Sequence, residues 1–169
     1  MITDIEITKP EPVTPGEKIE TFKRGTDVSL TIEALEAGNP ILVTEFYSNG
    51  LSLLRELHSH LSRKLPKKSF QEQREYRSEY HKLSNLILIR IVDQKLVVKK
   101  APSIGWLEKF YPEIHEFLLS FPQVQGLNSS WQWYQNGLSI PVLRNKVHPY
   151  YGTYFPTRFE HLQLFDDWL

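Results

Sequence analysis

The chain of 169 residues contains no cysteine. That excludes disulfides, thiolate zinc sites, iron–sulfur clusters and cysteine nucleophiles. It has no net charge, with 20 Lys and Arg against 20 Asp and Glu, which removes a globally basic nucleic-acid binder and a polyacidic tail. Long apolar runs are missing too: stretches such as Leu86-Ile87-Leu88-Ile89 are too short to span a bilayer. The start, Met1-Ile2-Thr3-Asp4-Ile5-Glu6, lacks the basic patch and apolar stretch of a secretory signal. No G-x-S-x-G elbow, G-x-x-x-x-G-K-[ST] loop or G-x-G-x-x-G turn occurs, so there is no recognisable nucleotide cradle. His58 and His60 are two apart and cannot chelate one ion from a helix, and His81, His115, His148 and His161 have no partner at ligand spacing. The expectation is a soluble, cytoplasmic, membrane-free protein without a metal.

What is present is unevenly spread. Apolar residues make up 40% and aromatics 12%, enough to close a core. Residues 1–40 hold eight acids and four bases, residues 55–100 five acids and twelve bases, and residues 101–169 six acids and four bases. The middle third is therefore a local positive field on a neutral molecule. Fifteen of the 21 aromatics, including all four Trp, follow residue 100.

The pattern reads as α+β: one domain with five or six helices and a small antiparallel sheet or hairpin. Residues 1–18, with Pro10, Pro12 and Pro15, read as a loosely attached extended arm with one short strand at 2–7. Residues 19–169 read as one mixed domain. Thr26 or Asp27 can cap a helix to about Ala37, stopped by Gly38. Residues 41–44 form a buried strand candidate. Leu51, Leu54, Leu57, Leu61 and Leu65 make one apolar helix stripe, ended by Pro66. Ser69 and Glu72 form a capping box for a helix to about Leu83, with Tyr76, Tyr80 and Leu83 inward. Residues 86–91 and 95–99 read as a hairpin around Val92-Asp93-Gln94. Short helices are expected at 104–110 and 113–119, a longer one at 124–136 closed by Gly137, and an extended stretch at 138–147. An aromatic loop follows at 148–155. Thr157 and Glu160 then cap a last helix whose apolar side is Phe159, Leu162, Phe165, Trp168 and Leu169. That helix has no stop signal, and Asp166 and Asp167 sit where its dipole disfavours anions. It reads as interrupted, with a contact surface that a neighbour would cover.

Two stretches are candidates for binding. Arg63-Lys64-Leu65-Pro66-Lys67-Lys68, with Arg74 and Arg77, can follow a phosphate backbone or an acidic protein, or be a solvated face neutralised by Glu72, Glu75 and Glu79. The second reading is the more economical. Residues 121–134 mix Gln, Asn and Ser with Trp131, Trp133 and Tyr134. Gln125, Asn128, Trp131 and Trp133 suit a flat π-face or a carboxamide, while a core helix burying Leu127, Trp131 and Tyr134 explains the stretch equally well.

Gly105-Trp106-Leu107, Val124-Gln125-Gly126 and above all Tyr151-Gly152-Thr153-Tyr154-Phe155-Pro156-Thr157-Arg158-Phe159-Glu160-His161-Leu162 resemble the segment upstream of the S-adenosylmethionine-binding domain in a family of class I methyltransferases. The last stretch is also similar to the R-P-E-T-E-type entry segment of glutamine methyltransferases at Pro156, Arg158 and Glu160, with Thr157 and Phe159 departing. The resemblance covers most of the chain. It implies a substrate-recognition front domain with Tyr154, Thr157, Arg158 and Glu160 near the substrate pocket. The D-x-G-x-G-x-G loop and the N-P-P-[YW] motif of such families are absent. Hence no catalytic or cofactor-binding residue is expected here, and S-adenosylmethionine is expected only for the full-length family member. A C-terminal methyltransferase domain is the implied partner. Protein, nucleic acid or small molecule all remain open as acceptor, and self-association through the last helix is a further expectation. The alternative is a free-standing module for RNA or an acidic protein surface.

Overall fold

A computed structural model of the chain describes residues 8–14, 16, 18–66, 68–153 and 159–168. The strand expected at 2–7 lies outside them. The fold is α+β. Among the described residues the strands are β1 (Glu20–Phe22), β2 (Ile41–Val43), β3 (Ile87–Val92), β4 (Lys95–Leu96) and β5 (Glu116–Ser120). Its helices are α1 (Val28–Glu36), α2 (Tyr47–Lys64), α3 (Phe70–Ser84), α4 (Gly105–Phe110), α5 (Phe121–Asn136) and α6 (Glu160–Trp168).

The sheet is mixed. β1 pairs parallel with β2, and β2 with the first half of β3, so α1 and the α2–α3 pair are crossover connections. The antiparallel part is the β3–β4 hairpin and the β3–β5 pair. Asp93 and Gln94 both take positive φ, 47° and 59°, as a two-residue hairpin turn of primed type demands. Gln94 secures the turn by donating from Nε2 to the carbonyls of Tyr111 and Ile114.

Register places Phe22, Val43 and Ile89 side by side, with Ile41, Ile87, Ile91, Phe117 and Leu119 on the same face. All of these belong to one core cluster, with residues from α1 to α5. Helices α1 to α5 therefore gather on one face of the sheet. The other face carries Thr21, Leu42, Arg90 and Leu118, with an Arg90–Glu116 ion pair of 2.7 Å across it.

Local signals explain most boundaries. Asp27 caps α1, its Oδ1 accepting from Ser29 and Leu30. Ser69 and Glu72 close the expected capping box on α3. Three expectations need correction. Residues 113–119 are not a helix: the apolar run Phe117-Leu118-Leu119 finds an open edge of β3, and pairing overrides local propensity. Helix α5 starts at Phe121 rather than 124, because Pro122 is tolerated in a first turn. Within α2 the buried stripe is Leu53, Leu54, Leu57 and Leu61, while Leu51 is exposed and Gly50 faces inward.

The arm is docked rather than loose over residues 9–13. Lys9 Nζ donates to the Phe110 carbonyl (2.6 Å), Tyr111 Oη to the Pro10 carbonyl (2.5 Å), and the Val13 amide to the Leu118 carbonyl (2.8 Å). Burial pushes the Tyr111 phenol far above its ordinary value, so it stays a donor.

Glu36 at the end of α1 accepts from Lys64 (2.8 Å) and His60 (3.0 Å) of α2. The Lys64 hydrogen bond holds its carboxyl below the usual range despite opposing desolvation. The Ser69 amide does the same for Glu72. A depressed carboxyl stabilises the fold above its unfolded value, about 4.5, and that contribution fades as pH drops through the folded value. The acid-side fall of the thermal midpoint is therefore expected to be shallower in Glu36→Gln/Glu72→Gln than in the parent. Equal slopes would rule this out.

Candidate functional site

Beyond the sheet, α4 and α5 meet in a cluster of rings. Trp106 is fully buried at its centre. It stacks on Phe110 (5.3 Å between centroids, 4°), meets Trp131 edge-on (5.2 Å) and lies 4.8 Å from Tyr134 and 4.6 Å from Tyr150. Trp131 and Tyr134, one turn apart on α5, stack at 5.5 Å. These offset and T-shaped geometries are those that ring quadrupoles favour.

A glycine makes the contact possible. A Cβ on Gly105 would lie 2.3 Å from the Trp131 indole, so the first turn of α4 rests directly on that ring.

The chain after α5 returns to the same place. Leu138 and Val147 form an antiparallel bridge, which makes the expected extended stretch a closed excursion. His148 Nδ1 donates to the Tyr134 carbonyl at 2.6 Å, which fixes the imidazole tautomer. Lys146 Nζ donates to the terminal carbonyl of Asn136 (3.1 Å). Residues 146–151 are thus pinned to α5, and Tyr150 and Tyr151 enter the cluster.

Lys109 tops the cluster. Its ammonium is 4.7 Å from the Tyr134 centroid, 5.2 Å from Trp106 and 5.5 Å from Tyr150. All three lie within cation–π range. The chemistry available here is π-face and cation contact. Burial raises the Tyr151 phenol above its ordinary value, so it stays protonated. Among the described residues no group of three His, Asp or Glu converges on a metal position, and no helix is long and apolar enough to cross a membrane.

The expected site residues separate. Trp131 is consumed by packing on Trp106 and Gly105, while Trp133 projects from another side of α5 and is 41% exposed. They do not share a π-face, and Leu127 is buried in the core as the packing alternative required. Gln125 and Asn128 are half-buried, and Asn128 Oδ1 is enclosed without a hydrogen-bond partner. Glu160 opens α6 and is exposed. Tyr154, Thr157 and Arg158 lie outside the described residues. Lys109 and Tyr150 were not singled out from the sequence, although Trp106 and Lys109 at helical i, i+3 spacing were a usable signal. No protein-family model matches the chain, and no curated protein matches it.

Proposed function

We propose that this chain is an accessory, substrate-recognition domain of an S-adenosylmethionine-dependent methyltransferase, transferring no methyl group by itself. The observation that carries the reading is α6. Leu164, Phe165 and Trp168 occupy one side of it and are 71%, 60% and 80% exposed. Phe159 and Leu162 are half-buried. An apolar stripe of this kind, roughly a few hundred Å², marks a contact surface. A cofactor-binding domain is the partner that the sequence resemblance implies. Two of the stretches behind that resemblance lie on α4 and α5, whose contact builds the aromatic cluster. The cluster in turn holds Tyr150 and Tyr151. S-adenosylmethionine would be held by the partner, and in-line methyl transfer asks of a front domain only that it position the acceptor.

Two measurements test this. Calorimetric titration of S-adenosylmethionine into the chain is expected to give no heat of binding; tight one-to-one binding would overturn the reading. Phe165→Ser/Trp168→Ser is expected to cut the binding of an apolar dye such as ANS several-fold with the melting temperature unchanged. Unchanged dye binding would remove α6 as the docking face.

A further inference from the structure

A different surface carries an inference of its own, independent of α6. On α3, Phe70, Arg74, Arg77 and His81 follow one another at intervals of four, three and four, and Asn85 continues the series at the helix end. That spacing lines one face. All but Asn85 are exposed, Phe70 to 74%.

The acids that a neutralised face requires are placed elsewhere. Glu72 spends its carboxylate on the backbone amides of Lys68 and Ser69, both at 2.8 Å. Glu79 pairs with Lys82, and Glu36 with Lys64. Among the described residues, Arg63, Lys68, Arg74 and Arg77 make no ion pair. Among the described residues, Glu75 lies beside Arg74 in one shallow depression.

The stripe leads into a concavity of about 380 Å³ lined by His81, Asn85, Ser120 and Gln123, with Val13 and Pro122. Ser120 Oγ donates to Asn85 Oδ1 (2.8 Å) and Asn85 Nδ2 to the His81 carbonyl (2.9 Å), so the amide is held in place. Gln123 Oε1 is enclosed without a partner.

We propose that this track binds single-stranded RNA. Phe70 offers a free ring for one base, Arg74 and Arg77 meet the following phosphates, and the amide-lined concavity takes a further base. From residue 70 to 85 the helix rises roughly 22 Å, a short single-stranded site of about four nucleotides. A duplex would leave the ring unused, since its bases are already stacked. An acidic peptide would satisfy the arginines and leave Phe70 uncovered.

The test is fluorescence anisotropy of a labelled 12-nucleotide oligouridylate with the full chain at 50 and 200 mM salt. Binding is expected at low salt and weaker at high salt. Arg74→Gln/Arg77→Gln should flatten the log–log salt slope by about 1.4, two phosphate contacts at roughly 0.7 each. Phe70→Ala should weaken binding about tenfold and leave the slope unchanged. Glu75→Lys should tighten it. These are surface positions, and unchanged circular dichroism melts confirm folding. Absence of binding at 50 mM salt would overturn the proposal. So would an unaltered slope in the double variant, or equal binding of a blunt duplex. Displacement of the oligonucleotide by oligoglutamate at equal concentration would assign the track to an acidic protein instead.

Discussion

Gly50→Ala is expected to lower the melting temperature by roughly 4–8 °C, although helix propensity alone argues the opposite. In a solvated helix the change gains about 1 kcal/mol. Here the added Cβ would stand 2.2 Å from Phe121 Cε2 and 2.5 Å from Cζ. The Phe121 ring is fully buried and packed on Tyr47 at 4.9 Å. Relief must come from parting the start of α2 from the start of α5. Overpacking of this kind costs about 1–3 kcal/mol, at the upper end where neighbours are fixed. The temperature shift follows at roughly 2–4 °C per kcal/mol for a chain of this length. Phe121→Leu in the same background is expected to recover part of the loss, with a coupling of about 1–2 kcal/mol in the double-mutant cycle. A raised midpoint for Gly50→Ala, or strict additivity with Phe121→Leu, would show that the two residues do not touch.

That contact also shows where the sequence stopped being legible. The α2 stripe was readable because leucines at three- and four-residue spacing declare a helix face. Yet the same spacing points Leu51 inward and is blind to Gly50, since periodicity weighs side chains and Gly50 matters for lacking one. The Ser69–Glu72 cap was legible because both partners lie within one turn. Residues 116–120 were not, since the three-residue apolar run Phe117-Leu118-Leu119 is compatible with either state until β3 supplies an edge. The parallel β1–β2–β3 pairing was hidden for the same reason: β1 and β2 have three residues each, and only the crossovers reveal them.

On the binding surfaces the balance differs. The charge excess in the middle of the chain was visible as a count. Whether Glu72 and Glu79 cancel it depends on where each carboxylate points, and hydrogen bonding decides that. The stretch 121–134 kept two readings because composition cannot separate a ring that packs from one that waits. Trp131 packs because Gly105 admits it, and that glycine is 26 positions away.

Trp106→Ala is the substitution expected to cost most, about 3–5 kcal/mol, or roughly 6–20 °C. Trp106 has no exposed surface and touches rings from α4, α5 and the 150–151 segment. A void there cannot be filled by one neighbour, because Trp131 is clamped on Gly105 and Tyr134 is tied through its carbonyl to His148. Trp106→Phe should be far milder than the lost volume suggests. The indole Nε1 is buried without a hydrogen-bond partner, and an unpaired buried donor already costs about 1–3 kcal/mol. Phenylalanine removes that donor while keeping a ring against Phe110. The two variants should also differ locally. In Trp106→Ala, Tyr150 loses its closest ring partner, and trypsin should cleave faster at the exposed Arg144 and Lys146. In Trp106→Phe the cleavage rate should stay near that of the parent. Equal proteolysis in both variants would mean that the cluster does not hold the 146–151 segment against α5, and the positioning role given to it would fail.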